Sequence, residues 1–139
     1  MKSILITGST GVIGLNILKK LINKHKIFVI LRSNSINKKK ISAFKKVKVV
    51  HYKHYDQLNK ELRKIKVDVV LHCATHYTKQ HTYKDIPKLA ESNIIFGNII
   101  LENLKKMKAK KFINFSTVWE DYNSIKDNDY NLYSVYKKS

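Results

Sequence analysis

The residues of this sequence whose types and spacing suit chemistry fall into two groups. In the first, Thr7-Gly8-Ser9-Thr10-Gly11-Val12-Ile13-Gly14 holds three of the chain's four glycines. A loop of this spacing, after a strand and opening a helix, cradles phosphate. The first glycine allows the sharp turn, the second lets the backbone approach a pyrophosphate, and the third lets the helix pack close to the strand. Unpaired amides and the positive dipole end of the helix then meet the anion. The competing reading is a tight turn whose glycines serve packing alone. In the second group, Tyr133 and Lys137 stand four residues apart, on one face of a helix. An ammonium beside a phenol favours the phenolate, and such a Tyr exchanges protons with an alcohol or ketone. Upstream, Ser116 and Thr117 follow an apolar run and offer a hydroxyl to hold the reacting oxygen.

Other polar residues have plainer readings beside the chemical ones. An acidic residue that takes the adenosine ribose hydroxyls is expected at the end of the second strand. Leu31-Arg32-Ser33-Asn34 stands there instead. A cation and a hydroxyl suit a 2′-phosphate, so NADP(H) is expected over NAD(H), against the alternative that Arg32 is only a surface charge. His51, His54, His72, His76 and His81 invite a metal reading, but no carboxylate is spaced to complete a ligand set, and none is expected. Cys73 reads as a buried small residue beside the cofactor, since no cation or base is placed to make it a thiolate. Glu120 and Asp121 read as a solvated loop, and Trp119 either lines the pocket or covers the sheet edge.

Elements that would position these groups follow from hydrophobic periodicity. Short apolar runs at 3–7, 27–31, 47–50, 67–72 and 112–115 read as strands, the first buried on both faces. Between them lie a helix over 12–23, with Ile13, Ile17, Leu18, Leu21 and Ile22 on its apolar face, and a helix over 56–64 capped by Asp56. A long helix runs from Pro87 to about Lys108, and a last one starts near Asn131. Strand and helix alternate, which predicts an α/β, Rossmann-type doubly wound parallel sheet of order 3-2-1-4-5.

Composition sets the bounds. The 139 residues make one domain, with 43% hydrophobic residues and 27% charged ones. A single Cys excludes a disulfide framework and suits a reducing, cytoplasmic setting. No apolar run is long enough to span a membrane, and glycines interrupt the faintly signal-like start. The formal charge is +18, but 26 of the 28 basic residues are Lys, scattered except for Lys38-Lys39-Lys40. Nucleic-acid readers favour the planar fork of Arg. The lysines therefore read as a solvated surface, with no nucleic-acid or membrane partner expected.

With these motifs in this order, the chain resembles the N-terminal part of an extended short-chain dehydrogenase/reductase, in the NAD(P)-dependent nucleotide-sugar epimerase/dehydratase branch. Thr7 to Gly14 is similar to that branch's Thr-Gly-x-x-Gly-x-x-Gly, and Asp68 to Ala74 resembles its fourth strand, ending in His-x-Ala. Asn93 to Glu102 resembles its central helix, although Phe96 replaces the usual small residue. Ser116-Thr117 and Tyr133-x-x-x-Lys137 complete the set. Residues 113–119, Tyr122-Asn123 and 131–133 are most similar to the CDP-sugar 4-ketoreductases.

The resemblance implies hydride transfer between a nicotinamide and a sugar carbon, C4, of a nucleotide-diphosphate sugar. Tyr133 would be the acid/base, Lys137 would tune it and hold the nicotinamide ribose, and Thr117 or Ser116 would bind the reacting oxygen. Gly8, Ser9, Thr10, Gly11, Val12, Ile13, Gly14, Arg32, Ser33, Cys73, Ala74, Asn93 and Ser116 would contact the cofactor. The branch's dehydratases carry Asp-Glu directly after the catalytic Thr, whereas this chain has Val118-Trp119. The adenine-contact Asp of the branch falls near Lys53-His54, where the chain has none. Family members continue past the Tyr-Lys helix into a substrate-binding part. The 139 residues are thus expected to form the NAD(P)-binding Rossmann domain without that part, with weak or absent turnover alone. An uncovered sheet edge would favour a homodimer or association with a C-terminal half. A nucleotide-binding module without catalysis is the alternative.

Overall fold

A computed structural model describes residues 1–120 and 131–139; Asp121, Tyr122 and Asn123 lie outside the described residues. The chain divides into two compact units, residues 1–74 with 99–114, and residues 75–98 with 115–139.

The first unit is built on a parallel sheet of β1 (Ser3–Thr7), β2 (Lys26–Arg32), β3 (Lys48–Tyr52), β4 (Val69–His72) and β5 (Lys111–Asn114). Their order is β3-β2-β1-β4-β5, as expected. Ile4, Leu5 and Ile6 face Ile27, Phe28 and Val29 on one side and Val69, Val70 and Leu71 on the other. Central parallel strands bury both faces and so read as continuous apolar runs. Leu5, Ile6, Val29 and Val70 are fully buried. The switch of direction falls between β1 and β4, and at such a point the carboxyl ends of the strands leave a crevice for ligands.

Helices α1 (Val12–Leu21), α2 (Lys39–Ser42) and α3 (Tyr55–Leu62) connect the strands. Two expectations change here, at α1 and α3. In α1 the buried residues are Gly14 and Leu18, whereas Ile13, in the first turn of the helix, is 54% exposed. The Lys-rich connection between β2 and β3 coils into a 3-10 turn at Ile36–Lys38 and then α2, anchored by buried Ile41. The cap of α3 is His54, whose Nδ1 accepts from Gln57 N at 3.3 Å, and Asp56 sits inside the first turn. A first-turn carboxylate still complements the helix dipole.

The long helix expected from Pro87 is segmented. A 3-10 turn at Tyr83–Asp85 leads into α4 (Ile86–Ala90), then a π turn at Glu91–Ile95, then α5 (Phe96–Glu102). Asn103 breaks the run before α6 (Leu104–Met107), and Lys108 ends it in the left-handed region at φ 59°. Buried Asn103 explains the break: its side chain donates to Asn59 Oδ1 and Ile99 O, both at 2.9 Å. Besides α4 and the π turn, the second unit holds α7 (Leu132–Lys138). Among the described residues, no helix is long and apolar enough to cross a membrane.

Candidate active site

The glycine loop joins β1 to α1 in the first unit. Gly8 has φ 65°, and a Cβ there would lie 2.6 Å from Ala74 N, so only glycine fits this turn against the end of β4. A Cβ on Gly14 would sit 2.4 Å from Gly8 O, which makes it the close contact between helix and turn. Gly11 differs: a Cβ there would meet Gly8 O alone, at 3.3 Å, leaving open space beyond it. Thr7 Oγ1 pins the turn by accepting from Ala74 N at 3.1 Å and pairing with His72 Nδ1 at 3.0 Å, with Thr7 and His72 both buried.

These features suit an anion and an apolar ring system. No side chain caps α1, and no acidic residue stands in its first turn, so its leading amides are left for a ligand. Ser9 is fully buried, and its Oγ has no hydrogen-bond partner among the described residues. A buried hydroxyl without a partner is costly and marks a place where a ligand would supply one. Val12 is 79% exposed, leaving apolar surface at the same end of the helix. The residues present therefore fit a dinucleotide pyrophosphate.

Of the remaining expected cofactor contacts in this unit, Arg32 donates from Nε to Tyr52 Oη at 3.0 Å, and Ser33 N donates to Tyr52 O at 2.8 Å. Ala74 lies against Gly8, and Cys73 is half-buried rather than buried, because β4 has ended one residue earlier. No spacing or periodicity marks Lys40, whose Nζ reaches Thr10 O at 3.5 Å. Coiling of the Lys-rich connection brings that cation to the glycine loop, and the only signal was its place in a run of three lysines.

In the second unit, α7 presents Tyr133, Ser134 and Lys137 as its buried face, which the four-residue spacing predicts. A capping box starts the helix: Asn131 Oδ1 accepts from Ser134 N at 3.1 Å, and Ser134 Oγ accepts from Asn131 N at 3.1 Å. Ser116 Oγ bonds Glu120, and Thr117 Oγ1 accepts from Trp119 N at 3.4 Å. Asn93, in the π turn, clamps the His76 peptide. Its Oδ1 accepts from His76 N at 2.7 Å and from Thr75 Oγ1 at 3.0 Å, while its Nδ2 donates to His76 O at 2.9 Å. Tyr77, unremarked in the sequence, packs with Trp119 and Tyr133.

Among the described residues, no group of three His, Cys, Asp or Glu side chains is placed to hold a metal ion.

A doubly wound parallel sheet with a glycine turn at its switch point defines the class as Rossmann-type nucleotide-binding folds. More narrowly, the chain belongs to the NAD dependent epimerase/dehydratase family, whose model matches residues 4–138. It is 34% identical to the dTDP-D-glucose 4,6-dehydratase of Dictyostelium discoideum over 152 aligned positions, covering 100% of this chain and 34% of that one. Its fold is shared with the UDP-Glc/GlcNAc 4-epimerase of Campylobacter jejuni at a TM-score of 0.83 and 19% identity, covering 99% of this chain and 46% of that one. The UDP-glucuronic acid 4-epimerase of Bacillus cereus, in complex with UDP-glucuronic acid and NAD, gives 0.78 and 22%, covering 99% and 49%. The chain thus spans 34% of the curated relative and 46–49% of these solved chains.

Proposed function

We propose that this chain is the cofactor-binding and proton-transferring part of a nucleotide-sugar oxidoreductase. The observation that carries the reading is the glycine loop, with its uncapped helix start, open space at Gly11 and partnerless buried Ser9 Oγ. Gly8 to Gly14 would hold the pyrophosphate of a nicotinamide dinucleotide, and Arg32 and Ser33 the adenosine end. Cys73, Ala74, Asn93 and Ser116 would border the remainder. A cation and a hydroxyl at the end of β2, with no carboxylate, support NADP(H) over NAD(H).

When bound, the nicotinamide group supplies or accepts the hydride at the sugar carbon. Tyr133 Oη would give a proton to the sugar oxygen on reduction and take one on oxidation. Lys137, one turn along α7, would stabilise the phenolate and hold a ribose hydroxyl. Thr117 would orient the reacting oxygen through its hydroxyl. Val118 and Trp119 stand where the resemblance places an acidic pair in dehydratases, which supports hydride exchange without elimination, as in 4-ketoreductases or epimerases. The nucleotide-sugar substrate is carried over from the relatives.

A second reading, a nucleotide-binding module without turnover, has one observation in its favour. Ser116 and Thr117 both bond within their own turn. NADPH oxidation by a 4-keto nucleotide sugar, followed in a single turnover with the chain in excess, separates the two. The enzyme reading predicts that Tyr133→Phe slows the step by about 10²-fold or more while NADPH affinity holds. Equal single-turnover rates in the parent and Tyr133→Phe, with NADPH bound to both, would favour the module instead.

A further inference from the structure

Beside Tyr133 the second unit carries two aromatic rings that proton transfer does not use. Tyr77 and Trp119 meet with ring centroids 5.4 Å apart and planes tilted by 40°. Both stand nearly perpendicular to Tyr133, at centroid distances of 5.1 Å and 6.4 Å and interplanar angles of 80°. The rings come from three separate stretches: the segment after β4, the turn after β5, and α7. We infer that Tyr77 and Trp119 form the platform that recognises the pyranose ring of the substrate; this rests on the oxidoreductase reading.

A cluster that served only as core would bury its members. Tyr133 is 9% exposed, but Tyr77 is 45% exposed. An aromatic ring held next to the acid/base and nearly half exposed is a binding surface in want of an apolar cover. A pyranose offers one in its C–H face, with hydroxyls around the rim for the polar edges of phenol and indole.

Preorganisation points the same way. Tyr77 follows His76, whose peptide N–H and C=O are both held by Asn93, at 2.7 and 2.9 Å. Asn93 lies within the π turn, a departure from α-helix geometry that recurs at functional sites. A clamped backbone leaves little ordering entropy to lose when a ligand covers the ring. Asn93 acts as a positioning residue for the platform.

Trp119 is the chain's one tryptophan, so its emission reports this site alone. The experiment titrates the full chain, saturated with NADP+, with UDP-, dTDP- and CDP-glucose and with UDP, dTDP and CDP. At least one sugar nucleotide is expected to change the emission saturably, and its sugar-free diphosphate to change it less. Tyr77→Ala should weaken that ligand by about tenfold or more, Tyr77→Phe by about twofold at most, and neither should alter NADP+ affinity. An unchanged circular dichroism spectrum and thermal midpoint, beside retained NADP+ affinity, show that the variants are folded. Equal affinity in Tyr77→Ala and the parent, or equal responses to diphosphates with and without sugar, would overturn the platform. So would silence towards every sugar nucleotide while NADP+ still binds, an outcome that spares the glycine-loop reading. Failure of the parent to bind NADP+ at all would instead overturn the reading beneath it.

Discussion

Gly8 and Gly11 lie three residues apart and are under different constraints. At Gly8 both the backbone angle and the neighbouring Ala74 peptide exclude a side chain, whereas at Gly11 the backbone is extended and the space ahead nearly clear. Gly8→Ala is expected to cost about 2 kcal/mol or more, from the left-handed backbone and the clash together. Gly11→Ala is expected to cost about 1 kcal/mol or less, the difference between glycine and alanine at a helix N-cap. Denaturant midpoints of the two variants check this order. Equal losses would mean that Gly11 is a packing residue like Gly8. The turn at Gly8 and the close packing at Gly14 were legible because their spacing after a strand assigns them. Lys40, Tyr77 and the clamp of Asn93 on His76 were not: each depends on how an irregular segment coils back, which no periodicity encodes.

At the scale of elements, α7 owes its start to a cap rather than to propensity, for its seven residues are too few to be stable as an isolated helix. Asn131→Ala is expected to destabilise the chain by about 1 kcal/mol, and Asn131→Asp to hold, because a carboxylate also accepts from Ser134 N and suits the dipole. Thermal midpoints that fall equally in both variants would contradict the role given to the cap. The turn before α4 is sensitive to acid. Hydrogen bonds from the Thr82 backbone N–H, then from its hydroxyl, hold the Asp85 carboxyl below the ordinary aspartate value. A carboxyl depressed in the folded state stabilises above its unfolded value and loses that contribution as pH falls through the folded one. Protection of the Thr82 amide, measured against the intrinsic exchange rate at each pH, should therefore fall on acidification below about pH 4, and Asp85→Asn should flatten that dependence. An unchanged pH profile in the variant would show that the carboxylate does not hold the turn. Existence and order of the strands were legible, since buried parallel strands are unbroken apolar runs and crossovers are right-handed. The caps and the π turn were not. His54 displaces Asp56 by one hydrogen bond, and Asn103 interrupts the helix by bonding outside it.

For the molecule as a whole, a charge of +18 attracts any anion, dinucleotides included. Binding of NADP+ alone would therefore not separate a built site from a basic surface, and the glycine loop has to be tested against that background. Lysine-borne attraction is screened within about 8 Å at physiological ionic strength, whereas contacts to backbone amides at a helix start are short and directional. Most direct is calorimetric titration of the full chain with NADP+ and NAD+ at that ionic strength, with Gly11→Ala in parallel. A site on the loop predicts saturable binding, tighter for NADP+, and its loss in Gly11→Ala despite a nearly unchanged denaturation midpoint. Binding of equal strength in parent and variant, or none in the parent, would contradict the placement of the cofactor on which the functional account rests.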